Sequence, residues 1–319
     1  IEKYVGQRVT DIDSAKKTVS VGGKNIIYDK LIIAVGAECF VPPFKGKDLT
    51  GVFTVRRIAD TDKIYAALPS VKSAVVIGGG VLGLEAAWEL CKLKLDVTVI
   101  ETSAYLLNKQ LDAESSAQLR QIAEAKGVRI VTGSGVAEIS GSERVTGVKL
   151  TDGTDIDAQM VIISTGVRAN TDLAKAAGCE IGRAIIVDEQ MRTSVADVFA
   201  AGDCAEYDGV NMALWSEASD QGRIAGASAV GSEDKYEPVS SAVTFNGFES
   251  SLFAVGDAGK NEAHSYKTVT VDEKGSGRYK KLFFLNGRLQ GVVSIGGAVN
   301  IAELTNAVDT QAKFSDVAL

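Results

Sequence analysis

The stretch Ala74-Val-Val-Ile-Gly78-Gly79-Gly80-Val81-Leu82-Gly83-Leu84-Glu85 decides the fold. Its first four residues are an apolar, β-branched run of the kind buried on both faces of a parallel sheet. The spacing that follows predicts a helix over Leu82 to Leu95. Between strand and helix lies GxGxxG, and each glycine has a task there. Gly78 allows the tight turn, Gly80 lets backbone approach a pyrophosphate, and Gly83 lets helix and strand pack closely. The first N–H groups of the helix, those of Val81 and Leu82 included, would hold the phosphates. The next strand, Val97-Thr-Val-Ile, ends in Glu101, about 20 residues on. A carboxylate there suits a ribose 2′-hydroxyl and repels a 2′-phosphate. No arginine follows within Thr102 to Lys109, so NADH is expected over NADPH.

Outward from this motif the chain alternates strand and helix. Ala113 to Ala125 reads as a second helix, Val128-Arg-Ile-Val as a third strand. Three strands separated by two helices make a parallel, right-handed doubly wound sheet. A hairpin-like excursion covers Gly135 to Ile139, Val145 to Leu150 and Asp155-Ile-Asp, before another buried strand, Met160-Val-Ile-Ile, closed by Gly166. The parallel sheet is expected to be complete within 72–168, which would then fold alone. Upstream, Tyr4 to Leu31 reads as a β-meander with a turn at Gly22-Gly23. Leu31-Ile-Ile-Ala-Val, closed by Gly36, reads as a strand buried on both faces. Ile58 to Leu68 is a short helix ended by Pro69. Downstream, Ile185-Ile-Val and Val198-Phe-Ala-Ala are short strands and Met212 to Val230 a long helix. Ser241 to Val293 is strand-rich, with turns at Asn246-Gly247, Gly275 and Asn286-Gly287. Val299 to Val308 closes the chain as a helix.

Composition excludes several classes. The 319 residues suggest about two domains. With 45% apolar and 24% charged residues there is ample surface for a core. The net charge of −7 comes without a basic stripe, which speaks against nucleic acid. No apolar run approaches the ~18 residues of a membrane span. The one histidine, His264, rules out a multi-histidine zinc site, and no metal site is expected. Cys39, Cys91, Cys179 and Cys204 form no CxxC or CxxxxC pair, which fits a reducing, cytoplasmic setting.

A dehydrogenase would need a proton donor or a metal beside its substrate, and none stands out. That points to a flavin as hydride acceptor, because stacking a nicotinamide on an isoalloxazine needs no side-chain acid. The block Thr193-Ser-Val-Ala-Asp-Val-Phe-Ala-Ala-Gly202-Asp203-Cys204 is a short strand ending in Gly-Asp. Read from its residues alone, Gly202-Asp203 is more readily a plain turn than a ligand contact.

The order of four motifs resembles the flavin-dependent pyridine nucleotide–disulfide oxidoreductase superfamily. They are Tyr28-Asp-Lys-Leu-Ile-Ile-Ala-Val-Gly36, Gly78 to Glu85, Ile162-Ile-Ser-Thr-Gly166-Val-Arg-Ala-Asn170, and Thr193 to Asp203. The resemblance runs from residue 1 to about 235. It implies that Asp203 binds the FAD ribityl chain, that Glu85 lies near the nicotinamide as the catalytic-side residue, and that Gly36 and Gly166 mark crossings between FAD and NAD domains. It implies that the helix starting in Asn211-Met-Ala-Leu-Trp-Ser-Glu begins beside the isoalloxazine. It also implies a first FAD-binding βαβ unit of roughly 30 residues ahead of Ile1, so the chain reads as a fragment lacking that unit. A redox cysteine, where the family has one, would lie in that part. The roughly 85 residues after the linker resemble the small C-terminal domain of NADH:rubredoxin reductases and of the flavoprotein part of NADH-dependent nitrite reductases.

The expected fold is therefore α/β: a Rossmann-like doubly wound NAD-binding domain inserted in a partial FAD-binding domain, plus a small α+β C-terminal domain. The expected boundaries are 1–71 and 169–235 for the two FAD-binding segments, 72–168 for the NAD(H)-binding domain and 236–319 for the last. The expected function is transfer of a hydride from NADH to FAD and of electrons to a small redox protein such as rubredoxin. The alternatives are an NADH oxidase or CoA-disulfide reductase, and a flavin-free NAD-binding or sensing module.

Overall fold

The structure is a computed structural model. It describes residues 1–238, 240, 242–261, 263–273 and 277–317. The turn expected at Gly275 and the start of the strand-rich segment at Ser241 lie outside these. The chain forms two compact units, each assembled from two separate segments. One comprises residues 1–38 and 167–238, the other 39–166 and 239–319.

The second unit is built on a five-stranded parallel sheet. Its order is Val52–Thr54, Met160–Ile163, Ser73–Ile77, Asp96–Glu101, Arg129–Thr132. In this sheet the apolar runs read as doubly buried strands are so, and alternation decides which side goes where. Val76, Val97, Val99, Met160 and Ile162 pack into one core with the helices. Val75, Ile77, Ile100, Val161 and Ile163 pack into another on the opposite face. That face is covered by an antiparallel meander of Val136–Gly141, Val145–Leu150 and Asp155–Asp157, the excursion expected from sequence. The sheet is not complete within 72–168. Its outer strand, Val52–Thr54, comes from residues expected with the first FAD-binding segment. Its in-register pairing with Val161–Ile163 is the reason residues 39–71 cluster with this unit.

Helices Val81–Lys92 and Ala113–Ala125 lie on the first face. The second starts at Asp112, whose carboxylate accepts the Ser115 N–H at 3.0 Å, the expected N-cap bond. Buried Ser115, Ser116, Leu119 and Ala123 recur at helical spacing and define its inner stripe. Over these helices packs the C-terminal part, a five-stranded antiparallel sheet ordered Val243–Gly247, Ser250–Gly256, Arg288–Ile295, Arg278–Leu285, Lys267–Glu273. Phe245 and Phe248 are 1% exposed and share a core with Leu84 and Ala87. Trp88 meets Phe248 edge to face at 5.5 Å. Burial of each such ring stabilises the contact by about 1.5–3 kcal/mol. Residues 72–168 thus depend on neighbours on two sides for their core. Helix Ile301–Asp309 packs on the sheet's other face through Leu304 and Val308.

The first unit opens with the expected meander, Val9–Asp13, Thr18–Val21 and Lys24–Ile27. Leu31–Ile33 then pairs in parallel with Val198–Ala200, and Ile185–Val187 with Ala205–Tyr207. The run Leu31–Val35 is not buried on both faces: Ile33 is 3% exposed, but Ile32 is 40% and Val35 41%. Among the described residues this strand pairs with one neighbour, and only the face carrying Ile33 meets the unit's core. Helix Trp215–Ala229 packs against both strands of that pair.

No helix among the described residues is long and apolar enough to cross a membrane. The four cysteines are unpaired, and no group of three or more His, Cys, Asp or Glu among the described residues could hold a metal ion.

Candidate functional site

At the carboxyl ends of the parallel strands lies a cleft of about 620 Å³. Of the residues singled out from sequence, Gly78, Gly80, Val81, Leu82, Glu101 and Gly166 line it. Each glycine of the motif meets a different physical demand. Gly78 has φ +118°, and a Cβ on it would fall 2.1 Å from the Ser164 carbonyl oxygen. Gly83 is buried beneath the cleft, where a Cβ would fall 2.1 Å from the Gly78 carbonyl oxygen. Around a Cβ on Gly80, nothing lies within 4 Å. The first two therefore allow protein to close on itself, and the third leaves room for a ligand.

Gly80 is also the N-cap of helix Val81–Lys92, and no side chain caps it. The first backbone N–H groups of a helix have no partner within it. Here they open on a cleft whose lining includes Val81 and Leu82. Such a terminus can hold an anion by backbone alone. Diphosphate fits it because the cradle at Gly80 is empty of side chain.

Glu101 does more than its position at the strand end suggested. One carboxylate oxygen accepts the Gly79 N–H at 2.7 Å, and the other accepts the Ser103 N–H at 2.8 Å. It clamps the glycine loop to the segment that follows its own strand. That segment forms a wall of the cleft with Leu107, Asn108, Lys109 and Gln110, which sequence reasoning passed over. The Leu107 N–H donates to the Gly79 carbonyl at 3.0 Å, and Leu107 has φ +47°. The same wall carries a cation, since Lys109 lines the cleft. Lys109 lies eight residues beyond Glu101, in the loop that follows the strand. Phe40 and Phe44 form another part of the lining, and the Thr165 hydroxyl donates to the Phe40 carbonyl at 2.6 Å.

Glu85 lies one helical turn beyond Val81 and outside the cleft lining. Burial chiefly, and the neighbouring Glu89 to a lesser degree, push its carboxyl above the usual range. The remaining candidates belong to the other unit or its border. Gly36, with φ +66°, lies two residues before that unit's first boundary; Gly166, φ +95°, is at the second. Gly202 and Asp203 form a single helical turn after strand Val198–Ala200. The Gly202 N–H donates to the Gln221 side chain at 2.8 Å, and the Asn211 amide donates to the Asp203 carbonyl at 3.1 Å. The loop is therefore tied to helix Trp215–Ala229 and to the segment before it, with φ +79° at Gly202.

A glycine-lined helix start over a parallel sheet, an acid at the next strand end and an inserted arrangement of segments define a dinucleotide-binding flavoprotein fold. The chain belongs to the pyridine nucleotide-disulphide oxidoreductase family, whose model matches residues 1–222. Residues 242–312 match the rubredoxin NAD+ reductase C-terminal domain. The chain is 35% identical over 320 residues to nitrite reductase [NAD(P)H] of Bacillus subtilis, covering 99% of this chain and 39% of that protein. It is 38% identical over 245 residues to NADH oxidase of Methanocaldococcus jannaschii, covering 72% of this chain and 54% of that protein. Among solved structures, the NAD-dependent persulfide reductase from A. fulgidus superposes with a TM-score of 0.90 at 29% identity, over 98% of this chain and 64% of that one. The chain spans about two fifths to one half of the length of these curated relatives.

Proposed function

We propose that the chain belongs to an NADH-dependent flavin oxidoreductase that passes electrons to a small redox protein such as rubredoxin. The observation that carries the reading is the cleft with an uncapped helix N-terminus at Gly80 and Glu101 clamped at its rim. In this reading the N–H groups of Val81 and Leu82 hold the diphosphate. Glu101 accepts the ribose 2′-hydroxyl while it holds the Gly79 loop. Glu85, one turn along the helix, flanks the nicotinamide half. Gly36 and Gly166 let the chain pass between the two units. The Asp203 carboxylate takes hydroxyls of the ribityl chain, presented by the turn that Gln221 fixes at Gly202. Bound FAD supplies the two-electron acceptor that can release electrons singly. The match of residues 242–312 to a rubredoxin reductase domain favours a small electron carrier as the acceptor. A cytoplasmic setting suits the unpaired cysteines.

The visible spectrum of the purified chain with and without added FAD tests the reading. Flavin absorbance that bleaches on NADH addition and returns with a small redox protein is expected. A chain that binds NADH but never acquires reducible flavin, even fused to a first FAD-binding unit of this family, would overturn it in favour of a sensing module. The similarity to an NADH oxidase supports a second reading, with dioxygen as acceptor. Oxygen uptake on NADH addition at the same rate with and without a carrier protein would select it. A CoA-disulfide reductase would instead show NADH oxidation on adding the disulfide.

A further inference from the structure

The wall of the cleft formed by Leu107 to Gln110 is held at one end by Glu101 and by the Leu107–Gly79 hydrogen bond. Its other end, Leu111 to Glu114, is held by two lysines of the C-terminal part, Lys260 from the loop after strand Ser250–Gly256 and Lys281 from strand Arg278–Leu285. Lys260 donates to the Leu111 carbonyl and, at 3.0 Å, to the Tyr105 hydroxyl, with its ammonium 4.7 Å from the Tyr105 ring centre. Lys281 bridges Asp112 at 2.6 Å and Glu114. Both contacts lie within one compact unit.

Both lysines tie the C-terminal part to the segment that enters helix Ala113–Ala125. Lys281 shares a strand face with Tyr279 and Phe283, which point into the core, and only 8% of its side chain is exposed. Taking an ammonium out of water is costly, and its ion pairs mainly offset that cost. A cation near the first turn of a helix is also opposed by the macrodipole. Yet two ammonium groups converge on the start of helix Ala113–Ala125. What they share is the segment they pin. Lys260 is itself fixed, its N–H donating to Asp257 at 2.7 Å, and Asp257 in turn accepts the Tyr266 hydroxyl. The Tyr279 hydroxyl meets Ser115 Oγ at 3.3 Å, a third polar tie to the same helix start.

From this we infer that the C-terminal part positions the ribose-side wall of the dinucleotide cleft through Lys260 and Lys281, and so sets the affinity for the adenosine half of NADH. The inference rests on the assignment of this cleft to NADH. Lys260 and Lys281 are positioning residues and touch no ligand. They act on Leu107 to Gln110 through Leu111 and Asp112.

The test is a fluorescence titration of the full chain and of Lys260→Met, Lys281→Met and Lys267→Met with NADH and with ADP-ribose, beside thermal melts. Lys267 lies on the exposed edge strand and serves as control. Lys260→Met and Lys281→Met are expected to weaken NADH and ADP-ribose about tenfold and equally, while remaining folded at the titration temperature, with Lys267→Met unchanged. A general loss of stability would lower the melting temperature without shifting the dissociation constants of the folded chain. Should Lys281→Met fail to fold, Lys260→Met, partly exposed, still decides. A parent that binds both ligands, with folded variants that bind them equally well, overturns the positioning role alone. A parent that binds neither ligand overturns the cleft assignment and this inference with it.

Discussion

Replacing Glu101 by glutamine tests the glycine-loop clamp and the choice of cofactor together. In the native chain each carboxylate oxygen accepts one backbone N–H, from Gly79 and from Ser103. Glutamine has one acceptor oxygen, so one N–H loses its partner and the other loses a charged one. A hydrogen bond to a charged group contributes about 1.5–3 kcal/mol, against about 0.5–1.5 for a neutral pair. The half-buried site and the water at its rim reduce the difference, leaving a loss of about 1–2 kcal/mol shared between folding and NADH binding. If most falls on binding, NADH weakens roughly tenfold. NADPH responds in the opposite direction. A carboxylate about 4 Å from a 2′-phosphate repels it by about 4 kcal/mol per unit charge at an effective dielectric of about 20, less when salt screens it. Its removal leaves Lys109 as the charged side chain of that wall. The NADH-to-NADPH affinity ratio should fall roughly a hundredfold at low salt, and less at high salt. Fluorescence titration with both nucleotides measures it. A ratio unchanged to within about threefold would show that Glu101 only ties the loop and does not face the ribose.

Three further substitutions probe the rest. Gly83→Val places a Cβ 2.1 Å from the Gly78 carbonyl, so the loop must move; a loss of about 1–3 kcal/mol in urea unfolding and loss of NADH binding are expected. The Glu85 carboxyl is raised, so the folded chain holds its proton more tightly than the unfolded chain. The resulting stability is complete below the ordinary carboxylate pKa and is lost as pH rises through the raised value, so Glu85→Gln should melt like the parent in acid and higher than it at neutral pH. Asp197 is held down to about 2 by hydrogen bonds from Lys17 and Lys30. Its contribution is present above the ordinary value and lost as pH falls through about 2. Asp197→Asn should therefore lower the melting temperature near neutrality and converge with the parent in strong acid.

The strand–loop–helix around Gly78 was legible because three constraints coincide there: an apolar run, a fixed glycine spacing and helical periodicity. Helix Ala113–Ala125 was legible to the residue, with Gly127 just beyond its end. Strand Val52–Thr54 was not, because three residues carry no period and its identity comes from Val161–Ile163, more than a hundred positions away. Burial of Leu31–Val35 was overestimated because an apolar run records that a strand can be covered twice, not that two neighbours are present. Lys281 was invisible for the opposite reason. A lysine in a strand reads as solvent-facing, and its partners Asp112 and Glu114 are set by tertiary packing. Likewise the strand-end Glu101 announced a ribose contact, whereas its hold on Gly79 and Ser103 depends on loop geometry that spacing does not encode.

The interleaving of segments has a consequence during synthesis. Leu31–Ile33 leaves the ribosome long before Val198–Ala200, the strand it pairs with. At about 5–20 residues per second that wait is roughly 10–30 s. Residues 39–166 emerge meanwhile and can collapse around their own parallel sheet, but the aromatic cover from Phe245 and Phe248 arrives later still. The nascent chain therefore carries an unmatched strand and an uncovered helix face at once. Slowing elongation should raise its dependence on holdase chaperones, while permuting the gene to join 167–238 directly to 1–38 should relieve it.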